Sequence, residues 1–255
     1  MWENWMTWIQ CQGIEQEFNE KYVRKELARY RKEGVAGTTR QLISAISNAD
    51  IEGMTLLDIG GGLGGIQHAL LDRGVVQATD VDASSAYLRA AQEEAEQRKL
   101  DDSIIFLQGD FVDIAKEIPE VDIVTLDRVV CCYDDMQALI NLSAKKARKT
   151  YGLVFPRDFW LFRLFLPLVN FILSLRGTPF RIYLHSTDQI DHIIKDQGLY
   201  LYLHQKAGFW QILVYKRTWS FIIEWSILSI IKTLLSCIKE VSGWKRRKKY
   251  LASQE

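Results

Sequence analysis

Residues 55–71 read TLLDIGGGLGGIQHALL, and five glycines within six positions constrain the fold more than any other stretch. An apolar run enters the glycines and a helical pattern leaves them. That order suits a strand–turn–helix junction. There the missing side chains admit a ligand to the main chain, and the helix N-terminus offers unpaired N–H groups. Gly60, Gly62 and Gly65 also satisfy G-x-G-x-x-G, so a dinucleotide site is one reading of the turn.

The surrounding pattern alternates strands and helices. Phe18, Tyr22, Val23, Leu27 and Tyr30 recur at helical spacing within 14–33, and Thr38 or Thr39 is placed to cap a second helix over 40–49. Short apolar runs at 54–59, 75–82, 103–110, 121–127 and 150–156 predict five strands. Helices are predicted over 65–73, after Ser84, over 136–147 and over 187–198. LYLYLHQ and GFWQILVYKR, which follow, read as an antiparallel hairpin. The implied fold is α/β, a doubly wound, mostly parallel sheet of Rossmann-like type ending in that hairpin. Three segments are expected: a helical N-terminal cover at 1–49, the main domain at 50–217 with an apolar insert at 159–185, and a C-terminal amphipathic helix with a basic tail at 218–255.

Acids sit at the carboxyl ends of the predicted strands, where open α/β sheets bind ligands. Asp58 precedes the first glycine by two residues, Asp80 and Asp82 end the second strand, and Gly109-Asp110 ends the third. A carboxylate at Asp58 disfavours a pyrophosphate and favours a cation. Asp82 lies 24 residues beyond Asp58, where a ribose-binding acid belongs. Such a rim suits a cationic ligand with a ribose and an adenine but no phosphate.

LLDIGGGLGG (56–65), ATDVDASSAYL (78–88), LQGDF (107–111) and VDIVTLDRVVCCYDD (121–135) resemble, in order and spacing, the class I S-adenosylmethionine-dependent methyltransferases. The likeness spans roughly residues 40–216, with a looser one to the magnesium-protoporphyrin O-methyltransferase group. The resemblance implies S-adenosyl-L-methionine as cofactor. Asp58, Gly60 and Gly62 would hold its methionine end with Gly64 close by, and Asp82 would take the ribose hydroxyls, with Asp80 as the competing choice. Asp110 and Phe111 would meet the adenine, and Asp127 or Arg128 would stand at the end of the fourth strand. Where family members often have histidine, this chain has Cys131 and Cys132.

Methyl transfer needs mainly alignment and a dry pocket, with a general base added for a poorly ionised acceptor. Tyr133 and His185 are the candidates for that base, and Asp158 also lies near the rim. The insert FWLFRLFLPLVNFILSL (159–175) points to a small lipophilic acceptor; core packing or an interface would explain it equally. Along 226–241 one helical half is apolar, and Lys245–Lys249 adds five cations, a pattern suited to a membrane surface or to packing on protein.

Lys+Arg and Asp+Glu balance at 32 each, so nothing pulls the chain toward nucleic acid. Cys11, Cys131, Cys132 and Cys237 have no metal-ligand spacing, and a reduced, cytoplasmic setting is expected, with peripheral membrane contact open. No apolar run reaches the ~20 residues of a spanning helix. The alternatives are a cofactor-binding scaffold without turnover and a nicotinamide-dependent oxidoreductase.

Overall fold

The computed structural model describes residues 11–217. The proposed C-terminal helix and basic tail lie outside them. After a helical stretch at 11–17 come α1 (Glu20–Glu33) and α2 (Gly37–Ser47). Then β1 (Thr55–Ile59), α3 (Gly65–Leu71), β2 (Gln77–Asp82) and α4 (Ser85–Arg98) follow. Next are β3 (Ile104–Gln108), the single turn α5 (Phe111–Ile114), β4 (Val121–Asp127) and α6 (Met136–Lys146). The chain continues through β5 (Ala147–Pro156), α7 (Trp160–Leu175) and α8 (Thr187–Asp196) to the hairpin β6 (Leu199–Ala207) and β7 (Trp210–Arg217).

The seven strands form one sheet in the order β3-β2-β1-β4-β5-β7-β6. The first five are parallel, and β7 runs antiparallel to β5. Strand order reverses between β1 and β4, where Ile59 pairs with Leu126, and this reversal opens a crevice at the carboxyl edge. Alternation along the strands supplies a core on each face. Leu57, Ile59, Val124, Leu126 and Tyr151 pack on one side, and Leu56, Ile123, Val154 and Ile212 on the other under α2 and α3.

Ser84 caps α4 as its sequence implies, its hydroxyl accepting from Tyr87 N. Thr38 and Thr39 do not cap α2. The helix starts at Gly37 after Ala36, and both threonines lie inside its first turn. Burial turned them toward β4 instead, where their hydroxyls find tertiary partners.

Gly60, Gly62 and Gly64 all have positive φ, at 67°, 59° and 76°, so the turn needs glycine there for conformation. Gly61 needs it for space. A Cβ there would stand 2.5 Å from Asp80 Oδ1 and closer still to the Gln67 amide, both fully buried. Gly61→Ala is expected to cost about 1–3 kcal/mol as overpacking. Chemical denaturation would read that loss, and an unchanged midpoint would mean that Gln67 moves aside freely.

Candidate cofactor site

A cavity of about 830 Å³ opens at the carboxyl edge, within the ~300–1,000 Å³ range of small-molecule sites. The glycine turn forms its floor through Gly60, Gly61 and Gly62. Asp58, Asp82, Asp110 and Asp127 bring four carboxyls to the wall from the ends of β1 to β4. The N-terminal helices close the opposite side with Phe18, Tyr22 and Tyr30. They are tied to α4 and its cap by Ser84 Oγ donating to Phe18 O at 2.9 Å, by Arg89–Glu20 at 2.9 Å and by Arg31–Glu94 at 2.6 Å.

Asp58 is 1% exposed and accepts from Thr125 Oγ1 at 2.7 Å and Gln67 Nε2 at 3.3 Å. Burial pushes its carboxyl up to about 7 against those two bonds. Asp82 accepts from Ser84 N at 2.8 Å and Gly62 N at 3.1 Å, so it braces the glycine turn while facing the cavity. Burial raises it to about 6.

Asp80, two residues earlier, sits behind Gly61 away from the cavity wall. Burial and the neighbouring Asp82 and Asp58 carboxyls drive it well above the usual range. Strand parity could not separate the two acids, since both point to the same face of β2. Depth does, because the strand ends at Asp82.

Asp110 caps the α5 turn by accepting from Val112 N at 2.8 Å and also receives the Tyr133 hydroxyl at 2.7 Å. Phe111 beside it lines the cavity. Gly64 does not reach the wall. It faces the His68 ring, 2.9 Å from where its Cβ would be.

At the end of β4, Thr39 Oγ1 donates to Asp127 Oδ2 at 2.5 Å. Arg128 adopts a left-handed φ of 64°, a conformation that costs a side-chain-bearing residue ~1–3 kcal/mol. Its guanidinium donates to Thr38 Oγ1 at 2.8 Å and lies 5.1 Å above the Trp210 ring. The first turn of α2 is thus latched onto β4 through two adjacent threonines.

The two base candidates fare differently. Tyr133 lines the cavity, but burial and the Asp110 carboxyl raise its phenol well above the ordinary value, so at neutral pH it is a donor. His185 is off the wall. Its Nε2 lies 2.8 Å from Tyr133 O, a bond in which the ring nitrogen donates. Burial lowers its pKa, leaving a neutral ring that clamps the 130–133 turn. Asp158 is likewise off the wall, paired with Arg163 at 2.6 Å. Cys131 and Cys132 line the cavity with their sulfurs 3.8 Å apart and unbridged.

Sequence reasoning placed Phe18, Tyr22 and Tyr30 on the apolar face of a helix, and the structure turns them to the cavity. Trp210, Tyr87 and Thr39 were not singled out for the site. Those three lie on α2, α4 and β7, and no local pattern marks them; on α1, by contrast, only Val23 is buried, which leaves Tyr22 and Tyr30 turned away from the core.

This arrangement fits a nucleoside carrying a cationic amino-acid chain. Gly62 has open space where a side chain would be, the nearest atoms being the Tyr87 ring at 3.8 Å, and its left-handed φ would strain any residue that carries a Cβ. The carboxyls at β1 and β2 suit an ammonium and a ribose diol.

The comparisons agree. A sequence model described as a methyltransferase domain matches residues 50–219. Among curated proteins no relative matches. Similar folds include magnesium protoporphyrin IX methyltransferase from Synechocystis PCC 6803, solved with bound S-adenosylhomocysteine. It has 21% identity and a TM-score of 0.63, with 82% of this chain and 99% of that one covered. An O-methyltransferase family protein from Burkholderia thailandensis has 17% identity and a TM-score of 0.59, covering 85% and 68%. An O-methyltransferase family 2 protein from Planctomyces limnophilus, in complex with apigenin, has 18% identity and a TM-score of 0.56, covering 78% and 62%. The nicotinamide reading of the glycine turn falls with the family match. With the domain matched over two thirds of its length and its sheet topology shared with these enzymes, the chain belongs to the class I methyltransferases, which use S-adenosylmethionine.

Proposed function

We propose that the enzyme methylates a small lipophilic acceptor that brings its own nucleophile. The observation that carries this reading is the composition of one cavity. Its polar wall of Asp58, Asp82 and Asp110 is continuous with apolar surface from Phe18, Val129, Cys132 and Trp210. None of the four histidines lines it, and its tyrosine beside Asp110 is held protonated. A phenolate, carboxylate, thiolate or amine needs no base from the protein.

In this reading Asp58 faces the methionine ammonium, Gly60 and Gly62 let that chain lie on the backbone, and Asp82 accepts the ribose hydroxyls. Asp110 and Phe111 meet the adenine edge and face. Asp127, with Arg128 beside it, borders the methyl end. The cofactor, when bound, supplies an electrophilic methyl group on positive sulfur. The protein's part is to align the acceptor with it and exclude water, which contributes ~7–11 kcal/mol without a catalytic side chain. α1 and α2 do the excluding, held down by the Thr38–Arg128 and Thr39–Asp127 bonds.

We assign the protein to the cytoplasm, with the 226–249 segment touching a membrane surface. The cytoplasmic setting rests on four cysteines without CxxC or metal-ligand spacing, and the membrane contact on the apolar sequence face of 226–241 and the adjoining cations. Among the described residues no helix is long and apolar enough to cross a membrane.

Calorimetric titration with S-adenosylhomocysteine, with NADH in parallel, tests the site. Binding of the former in the micromolar range, and none of NADH, is the expected result. NADH binding in its place would mean that the glycine turn serves a pyrophosphate.

A further inference from the structure

The apolar insert forms a 16-residue helix, α7, about 24 Å long at ~1.5 Å per residue. Placed at ~100° per residue, its side chains fall into three strips. Phe162, Leu166, Val169 and Leu173 form the inward strip, and Phe162 packs on Phe209 with centroids 4.5 Å apart. Arg163, Asn170 and Ser174 form a narrow polar strip. The remaining arc, roughly 140° wide, carries Trp160, Leu164, Phe165, Leu168, Phe171, Ile172 and Leu175. It is open to solvent, with Trp160 71%, Leu164 66% and Leu175 72% exposed.

An amphipathic helix of a globular domain buries its apolar face, and this one half-buries one apolar strip, with Leu173 buried, and presents a second. The second holds seven large apolar side chains, each about half exposed or more. At roughly 100 Å² apiece, about half of the ~150–250 Å² of a large side chain, it is beyond the ~300–600 Å² of the largest patch on a typical monomer.

Charge decides what covers it. Residues 157–181 hold four arginines, Arg157, Arg163, Arg176 and Arg181, against one acid, Asp158. Asp158 is taken by Arg163, while Arg157 and Arg181 donate to backbone carbonyls. A second copy would set its own arginines beside these. The apolar 226–241 segment leads into five more cations, so it offers no neutralising charge either. An anionic bilayer offers both an apolar interior for the arc and phosphates for the arginines, and tryptophan favours the headgroup level.

We infer that the outward face of α7 docks on an anionic lipid surface, lying flat with its arc in the acyl boundary. The inward strip leads from there toward the site, Phe162 touching Phe209, Phe209 touching Trp210, and Trp210 lining the cavity. A lipophilic acceptor partitioned into the bilayer would then meet the enzyme on the side where Trp210 borders the cavity. This deepens the lipophilic-acceptor reading and rests on it for its purpose, though not for the docking itself.

The test is flotation of the full chain with vesicles of phosphatidylcholine mixed with phosphatidylglycerol. Three proteins are compared: the native chain, Leu164→Glu/Leu168→Glu/Phe171→Glu, and a variant with Lys245–Lys249 changed to glutamine. The native chain should float, and the α7 variant should lose roughly tenfold or more of its affinity, since three apolar contacts are removed. Its S-adenosylhomocysteine affinity should stay unchanged, which shows that it is folded. Loss only in the tail variant would overturn the inference while leaving a membrane-bound enzyme. A native dimer that the α7 variant makes monomeric, with no flotation by either, would put a second copy on the face. A native chain that neither floats nor dimerises would overturn it too. Failure to bind S-adenosylhomocysteine with flotation intact would strike the methyltransferase site and spare the docking face.

Discussion

Asp82→Ala should weaken S-adenosylhomocysteine binding by about a hundredfold or more. Two hydrogen bonds from a ribose diol to a carboxylate contribute ~1.5–3 kcal/mol each, and ~1.4 kcal/mol is a factor of ten. The variant also frees the N–H groups of Gly62 and Ser84, which the carboxylate accepts from in the unliganded structure. Part of the loss will therefore come from a loosened glycine turn. Asp82→Asn separates the two contributions, since its amide oxygen keeps one backbone bond while its NH₂ cannot accept. If Asp82→Asn binds as the native chain does, the ribose role is wrong. Asp80→Asn should change affinity little, because Asp80 is sealed behind Gly61. Calorimetry reads the affinities, and thermal unfolding confirms that each variant is folded.

Cofactor affinity should rise with pH up to about 7, the value to which burial pushes Asp58. The folded value lies above the ~3.9 of an unfolded aspartate, so the empty fold prefers the neutral carboxyl. This group's contribution to stability is therefore fullest below that unfolded value and is lost as pH rises through about 7. An ammonium placed against it reverses the preference. Binding then releases a proton, and affinity falls toward tenfold per pH unit on the acid side. Asp58→Asn should flatten the profile and weaken binding at alkaline pH, and what slope remains belongs to Asp82, centred near about 6. An unchanged profile in Asp58→Asn would show that the ammonium lies elsewhere. Calorimetry in buffers of different ionisation enthalpy counts the proton directly.

Both predictions concern residues that were readable in advance, and the reason is local. Glycines at positive φ, a strand ending in an acid and a serine opening the next helix each leave a mark within a few residues. The order of those marks along the chain specified a doubly wound sheet and its binding edge. The antiparallel hairpin was legible for the same reason, because a two-residue turn, Gly208-Phe209, separates β6 from β7.

What only the tertiary structure decided involves partners far apart in sequence. Thr38 and Thr39 carry the signature of a cap, yet they bond Arg128 and Asp127 some ninety residues away, because α2 lies across the end of β4. Histidine chemistry suggested a base at His185, yet the fold spends its proton on the Tyr133 carbonyl and keeps the ring off the cavity wall. Asp80 and Asp82 share a strand face, and only the depth of the glycine turn against β2 puts one in the cavity and the other beneath it. The apolar run at 159–175 gave the sequence no means to tell core from surface. Hydrophobicity says that a segment avoids water, and only the packing of its neighbours says which of its faces they cover.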